Sequence, residues 1–190
     1  MCGNLISWVF QSNREMVPIV TIDGPSGSGK GTIAKALALR LNWNYLDSGL
    51  LYRCFAFLHN QDINNISEAF SRIEHKYDYE SEDILFDGNN ITSIIRGKEI
   101  TVLSSQLSQK SDVREQLMQI QKQYRKLPGL VAEGRDMSSK LFPDSKVKIY
   151  LTADLSERVN RRANQLRNDG QKVNISELKN EIELRDGRDL

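Results

Sequence analysis

Short apolar runs and turn-forming residues alternate along this chain. Four runs, at 19–22, 45–46, 130–132 and 147–151, each end in polar, charged or glycine residues. Short apolar runs with such boundaries predict strands, and the helical stretches between them indicate a parallel sheet. Because open α/β sheets bind ligands beyond the carboxyl ends of their strands, we expect a ligand site where the acids, the serine and the arginine that follow these runs collect.

Three stretches have the apolar spacing of amphipathic helices. The first, over 33–41, follows a glycine-rich loop. The second, over 113–124, is predicted to open with a capping box of Asp112 and Glu115, and the third with Asn174 and Glu177. The segment 185–189 is expected to lie after this third helix.

Residues 62 to about 110 are polar and interrupt the alternation. Apolar segments at 84–86 and 91–95 flank the turn-forming residues 87–90, an arrangement that predicts a hairpin. We therefore expect a small antiparallel insertion in a parallel-sheet protein.

Composition narrows the classes of protein to consider. The 190 residues suit one α/β domain, or one domain with an insertion, and 39% hydrophobic residues predict a packed core. A net charge of +1 argues against duplex nucleic acid as the main partner. Cys2 and Cys54 are the two cysteines, so neither a disulfide framework nor a cysteine metal cluster is expected, and a reducing compartment is indicated.

The N-terminal residues need a separate interpretation. The apolar run at 5–10 is far shorter than the roughly 18 residues of a membrane span, and it lacks the basic region and cleavage site of a secretory signal. We interpret 1–16 as an extension outside the domain, with Met16 near the natural start. An interfacial anchor is the alternative.

The sequence DGPSGSGKGT at 23–32 supplies the first specific chemistry. It matches G-x-x-x-x-G-K, but Gly31 stands where the pattern asks for a hydroxyl, and Thr32 comes one place late. A glycine turn between a strand and a helix directs backbone N–H groups at a phosphate, and the helix N-terminus adds positive charge. The predicted phosphate-binding residues are Gly24, Pro25, Ser26, Gly27, Ser28, Gly29, Lys30, Gly31 and Thr32.

Gly31 changes the expected metal site. Glycine has no side chain to ligate magnesium, but magnesium often keeps several waters and leans on substrate phosphates. An acid at a neighbouring strand end could hold those waters, and Glu133 follows the run at 130–132. We therefore predict that Glu133 contacts the metal through water.

Arginines near the predicted strand ends indicate a second anion site. Phosphoryl transfer between two nucleotides needs positive groups around both phosphates, and Arg53, Arg96, Arg114 and Arg135 are candidates. Near the C-terminus, four more arginines, including Arg158 and Arg162, crowd one helical segment. This segment is either a mobile lid, over about 155–172, or a solvated helix face.

From about Val17 onward the sequence resembles the bacterial cytidylate kinases, a branch of the nucleoside monophosphate kinases. The resemblance is carried by IDGPSGSGKGT at 22–32, LDSGLLYR at 46–53, VREQL at 113–117, LPGLVAEGRDM at 127–137, FPDSKVKIYL at 142–151 and RDGRD at 185–189. It implies an α/β P-loop fold, with a parallel sheet flanked by helices, a core over 17–57 and 129–190, and an antiparallel monophosphate-binding insertion over 58–128. The family continues with a strand and a helix that this sequence lacks after Leu190, so an open sheet edge is expected at 147–151.

The resemblance also implies roles for individual residues. Ser48, Tyr52 and Arg53 align with positions at the monophosphate, and Ser105, Arg114 and Asp136 with positions that read cytosine. Lys30 and Arg135 would act on the transferred phosphate, together with Arg158 and Arg162 of the lid. Arg185 and Asp189 align with sugar-contacting positions. Ser138-Ser139 depart from the family's usual Gly-Thr beside the predicted cytosine pocket.

The expected function is transfer of the γ-phosphoryl group of ATP to CMP or dCMP with Mg²⁺, without a covalent enzyme intermediate. We expect a cytoplasmic monomer with small-molecule substrates and no nucleic-acid or membrane partner. Two alternatives stay open: a kinase for UMP or another monophosphate, and a nucleotide-binding regulatory protein without turnover.

Overall fold

The computed structural model describes residues 17–61, 63, 65–168, 170 and 172–188. Its strands are β1 (Ile19–Asp23), β2 (Asn44–Asp47), β3 (Ile73–Tyr77), β4 (Glu82–Phe86), β5 (Asn89–Asn90), β6 (Leu130–Gly134) and β7 (Val147–Tyr150). Its α-helices are α1 (Lys30–Leu41), α2 (Ser48–Asn60), α3 (Ile66–Phe70), α4 (Thr92–Arg96), α5 (Lys98–Leu107), α6 (Ser111–Lys122), α7 (Leu155–Asn168) and α8 (Ile175–Arg188). A single π-helical turn spans Met137–Leu141.

The main sheet has the strand order β2-β6-β1-β7, and every pairing in it is parallel. The predicted α/β class and parallel sheet are confirmed. All five residues of β1 and of β6 are buried, as expected for central strands covered on both faces. The register places Glu133 of β6 beside Asp47 of β2 and Ile22 of β1, so the acids at the strand ends gather at one edge.

The two helix starts that were predicted from capping boxes have different outcomes. The start of the third predicted helix is confirmed: Asn174 Oδ1 accepts from the Ser176 and Glu177 amides, and Asn174 Nδ2 donates to Glu177. The capping box of Asp112 and Glu115 is wrong. Helix α6 begins at Ser111 after Lys110, which makes no side-chain cap, so Asp112 already lies inside the first turn.

The insertion has a different second half from the one predicted. Strands β4 and β5 form the expected antiparallel pair, but β5 contains only two residues, and β3 adds a third strand that was not predicted. The predicted strand at 91–95 is wrong because this segment forms α4. Ile91 and Ile95 are both buried, and their i, i+4 spacing puts them on one helical face.

The prediction that the segment 185–189 lies after the third helix is also wrong. Arg185 to Arg188 belong to α8 and do not follow it. Helices α7 and α8 pack through a small apolar cluster of Val159, Ala163, Leu178 and Ile182. This packing brings the arginines of α7 next to the polar residues at the end of α8.

Strand β7 lies at the edge of the main sheet, and its four residues are exposed. Among the described residues, no helix has the length and apolar character needed to cross a bilayer. The predicted extension 1–16 and Asp189 lie outside the described residues.

Candidate active site

The glycine loop, residues 24–29, joins β1 to α1 in a conformation that glycine favours. Gly27 and Gly29 have φ angles of 75° and 93°, which L side chains rarely adopt. A Cβ on Gly24 would lie 2.0 Å from the carbonyl oxygen of Leu151, and one on Gly27 would lie 2.8 Å from that of Arg158. Buried Ser28 Oγ has no hydrogen-bond partner within the described part of the chain. An orphaned hydroxyl of this kind suits an oxygen-rich ligand.

Lys30 and Glu133 are two desolvated titratable groups near this loop that act on each other electrostatically. Lys30 begins α1, and its Nζ donates to the Pro25 carbonyl oxygen at 3.3 Å. Burial lowers the pKa of Lys30, Arg135 and Arg185 act in the same direction, and Glu133 opposes them. Burial raises the pKa of Glu133, and Lys30 opposes this shift. A phosphate brought next to Lys30 would therefore favour its charged form.

Gly31 leaves room for the Glu133 carboxylate. A Cβ on Gly31 would lie 2.8 Å from Glu133 Oε1, and the same oxygen accepts a 3.1 Å hydrogen bond from Tyr45 Oη. Burial raises the pKa of Tyr45 above its usual range, so the phenol remains protonated and donates. The acid thus occupies the volume that a hydroxyl side chain at position 31 would need, and Thr32 is exposed.

Asp23 joins the glycine loop to the segment that follows β6. This buried residue ends β1, and its two carboxylate oxygens accept from the Met137 and Ser138 amides, each at 2.9 Å. The Gly24 amide also donates to the Gly134 carbonyl oxygen at 3.2 Å. Both interactions hold residues 134–138, and with them Arg135 and Asp136, next to the phosphate loop.

Two of the residues aligned with cytosine-reading positions, Arg114 and Asp136, lie near Tyr52, which aligns with a monophosphate position. Arg114 Nη2 donates to Asp136 Oδ2 at 2.6 Å. Burial raises the pKa of Tyr52, with Arg114 and Asp136 as the charges that act on it, so the phenol lies near this ion pair. Lys140 adds a longer contact to Asp136 at 3.6 Å. Ser105 is half-buried on α5.

The start of α2 holds the residues aligned with the monophosphate. Asp47 caps this helix by accepting from the Leu50 amide at 2.8 Å, and its other oxygen lies 3.6 Å from Arg53 Nη2. Arg53 Nε is buried without a partner in the described residues, and Ser48 is buried. Arg96 has a different partner, because its Nη2 donates to Glu82 within the insertion at 2.8 Å.

Two arginines of α7 contact the glycine loop directly. Arg158 Nη1 donates to the Ser26 carbonyl oxygen at 3.2 Å and to Asp186 at 2.5 Å. Arg161 Nη1 donates to the Ser28 carbonyl oxygen at 3.2 Å. Arg162, which was predicted in place of Arg161, donates to Gln165 at 2.7 Å.

Asp186 of α8 contacts two of the three arginines that were predicted to be catalytic. Its Oδ1 accepts from Arg135 at 3.4 Å while its Oδ2 accepts from Arg158. Arg185 precedes it and lowers the pKa of Lys30 through its positive charge. The end of α8 therefore lies near the glycine loop, and the Asp186 carboxylate lies between Arg135, which follows β6, and Arg158 of α7.

Comparison with known proteins gives the family of this chain. The family model described as cytidylate kinase matches residues 20–190. The chain belongs to the cytidylate kinase family. It is therefore a nucleoside monophosphate kinase, as predicted.

Relatives named cytidylate kinase cover most of the chain. The one from Stutzerimonas stutzeri is 45% identical in an alignment of 184 residues, which covers 91% of this chain and 80% of the relative. Those from Azotobacter vinelandii and Colwellia psychrerythraea are 43% and 40% identical, and cover 90% and 93% of the chain with 79% and 82% of their own length.

No individual role was predicted for five residues of this site, although the strand-end acids and the arginines of α7 were expected near the ligand. Asp23 and Asp47 end strands as Glu133 does, so the rule that pointed to Glu133 could have found them. Arg161 and Arg162 follow Arg158 by three and four residues, so either can lie on the same helical face as Arg158. Spacing alone does not choose between Arg161 and Arg162. Tyr45 and Asp186 gave no local signal, because their roles depend on strand register and on the packing of α7 against α8.

Proposed function

We propose that this kinase transfers the γ-phosphoryl group of ATP to CMP or dCMP. The observation that carries the proposal is the joint anchoring of two loops by Asp23 and Gly24. These hydrogen bonds hold the proposed phosphate-binding turn, which follows β1, next to the segment with Arg135 and Asp136, which follows β6. A phosphoryl donor and a base-reading acid then lie on adjacent strands, as transfer between two nucleotides requires.

The donor phosphates would be held by the glycine loop. The backbone N–H groups of this turn and the N-terminus of α1 provide a concentration of positive partial charge. Ser28 Oγ is available for a hydrogen bond, and Lys30 supplies a compact cation. Arg161 and Arg158 close the turn from α7 through the Ser28 and Ser26 carbonyl oxygens.

The acidic residues near the glycine loop suit a magnesium ion that is bound mainly by substrate and water. Among the described residues, no group of three or more His, Cys, Asp or Glu side chains forms a ready metal site. Glu133 is the acid nearest the residue after the lysine, and it would hold a metal-bound water. The ion would neutralise charge on the phosphate oxygens during transfer.

The acceptor would lie between α2 and the segment after β6. Arg53, whose buried Nε has no partner within the described part of the chain, would bind the monophosphate with Ser48. Asp136, fixed by Arg114, would accept a hydrogen bond from the cytosine amino group. Uracil presents a carbonyl oxygen at that position, which an ionised carboxylate repels.

Charge stabilisation would carry the reaction. Phosphoryl transfer spreads negative charge over the equatorial oxygens, and fixed cations at those oxygens lower the barrier. Lys30 is placed by the first turn of α1, while Arg135 and Arg158 are placed by Asp186. Arg162 and Asp189 keep their predicted roles as hypotheses, and Arg96 would have to leave Glu82 to contact substrate.

Coupled assays with CMP, dCMP, UMP and AMP test this proposal. We expect turnover with the two cytosine nucleotides and a much lower kcat/KM with UMP and AMP. Asp136→Asn should lower the CMP-to-UMP preference by about tenfold or more, because an amide can donate to the uracil carbonyl and one hydrogen bond to a charged group contributes about 1.5–3 kcal/mol. ATP binding without transfer to any monophosphate would refute the proposal and favour a regulatory role.

Asp87→Asn is a matched control for this substitution. Asp87 is also paired with an arginine, Arg72, but it lies in the turn between β4 and β5. The control should retain the CMP-to-UMP ratio of the parent protein. An unchanged ratio in Asp136→Asn would refute the assignment of the base-reading acid.

A further inference from the structure

The hydrogen bond between Tyr45 and Glu133 lies in the interior of the protein. Each residue is 5% exposed. Strands β2 and β6 are direct neighbours in the sheet, with Tyr45 opposite Val131 and Asp47 opposite Glu133. The 3.1 Å bond from Tyr45 Oη therefore runs along the sheet towards its carboxyl edge, where it reaches Glu133 Oε1.

Aromatic packing keeps the Tyr45 ring in place. Its centroid lies 5.3 Å from that of Tyr77 in an edge-on arrangement and 5.9 Å from that of His75. Both residues belong to β3 of the smaller sheet, and His75 is bonded in turn to Glu82 at 2.8 Å. Aromatic pairs at these separations favour fixed geometries, so the phenol has little freedom to turn away from the carboxylate.

We propose that Tyr45 is a positioning residue for Glu133. Its hydroxyl holds Oε1 in the space beside Gly31, which leaves the second carboxylate oxygen to bind a water of the nucleotide-bound metal. The inference rests on the proposed role of Glu133 as the acid that organises magnesium. Tyr45 itself does not contact substrate in this arrangement.

Fixing one carboxylate oxygen has a direct benefit for a metal bound through water. A buried carboxylate without a partner on Oε1 could rotate into orientations in which neither oxygen faces the metal-bound water. Residues that orient metal-binding groups typically change metal affinity or activity by roughly 10–100-fold when they are mutated. Because Glu133 is one water removed from the ion, we expect an effect near the lower end, at about tenfold.

The test compares Tyr45→Phe with the parent protein. The probe is Mn²⁺ binding to the enzyme with a non-hydrolysable ATP analogue, measured by electron paramagnetic resonance without turnover. We expect Mn²⁺ affinity to fall about tenfold, with a matching rise in the Mg²⁺ concentration for half-maximal rate and an unchanged KM for CMP. Tyr124→Phe is the matched control, since Tyr124 packs on the main hydrophobic core, and it should leave Mn²⁺ affinity unaltered.

Two further measurements keep the outcome decisive. In a Glu133→Gln background, Tyr45→Phe should cause no additional loss of Mn²⁺ affinity, because the group that it positions is already changed. An equal loss in both backgrounds, or none in the parent, would overturn the proposal. If Glu133→Gln alone leaves the Mn²⁺ affinity unchanged while the parent phosphorylates CMP, the metal role of Glu133 fails and the kinase function stands.

Discussion

A serine at position 31 would restore the usual nucleotide-loop pattern, yet we expect Gly31→Ser to impair this protein. The new Cβ would lie 2.8 Å from Glu133 Oε1, where ordinary contact begins at 3.4 Å, and 3.8 Å from Tyr45 Oη. Glu133 is 5% exposed and bonded to Tyr45. The carboxylate therefore cannot move aside without breaking that bond.

Opposing effects decide the expected change in stability. Replacing glycine by serine near the start of α1 raises helix propensity by roughly 0.5 kcal/mol. Forcing an extra group into a packed interior typically costs about 1–3 kcal/mol. The net loss is about 0.5–2.5 kcal/mol of unfolding free energy, which for a chain of this size lowers Tm by roughly 1–10 °C.

The assay combines a thermal melt with the Mg²⁺ dependence of CMP phosphorylation. We expect a lower Tm and a higher half-saturating Mg²⁺ concentration in Gly31→Ser. Gly187→Ser is the matched control, because a Cβ there meets nothing within 4 Å. Shortening the acid in Gly31→Ser/Glu133→Asp should recover part of the lost Tm. A serine variant with unchanged Tm and equal or greater activity would refute the steric argument.

Three other substitutions test the charges of the site and of the insertion. Lys30→Ala should lower kcat by about 100-fold or more, as expected for one fixed donor at the transferred phosphate, while the melt stays cooperative. Asp186→Asn should raise KM for ATP and lower kcat, because Arg135 and Arg158 lose the carboxylate that holds both; equal kinetics in variant and parent would contradict this. Burial alone would raise the pKa of Glu82, but His75 and Arg96 lower it to about 2. Its carboxylate therefore stabilises the fold above pH ~4.3 and this contribution is lost as the pH falls towards 2, so Tm between pH 5 and 3 should fall less steeply in Glu82→Gln than in the parent; parallel curves would contradict the shift.

The insertion shows a limit of prediction from sequence patterns. The turn residues 87–90 correctly indicated an antiparallel pair, but the apolar residues at 91–95 fit a strand and a helix equally well over so short a range. Contacts with β4 and β5, the neighbouring strands of the insertion, fix the start of the helix. Thr92 Oγ1 accepts from the Ile84 amide, and Asn90 Oδ1 accepts from the Thr92 amide, so the chain turns into α4 directly after β5.

The segment predicted as a lid, now seen as α7, illustrates the same limit at the level of single side chains. The arginine-rich segment was expected near the phosphates, and α7 does contact the glycine loop. The choice between Arg161 and Arg162 depends on the rotation of α7, which its packing against α8 through Val159 and Ala163 determines. One residue along a helix turns a side chain by about 100°, and no motif in the segment specified that angle.

The amino-acid sequence by itself determined the parallel sheet, the phosphate loop with Lys30, and the presence of Glu133 at a strand end, because periodicity and turn chemistry act over neighbouring residues. Tertiary structure decided what those residues touch. Tyr45 meets Glu133 only because β2 pairs with β6 in one register, and Asp186 meets Arg135 and Arg158 only because α8 packs on α7. Such contacts join residues 28 to 88 positions apart, and their geometry depends on the packed core and not on the local sequence around either partner.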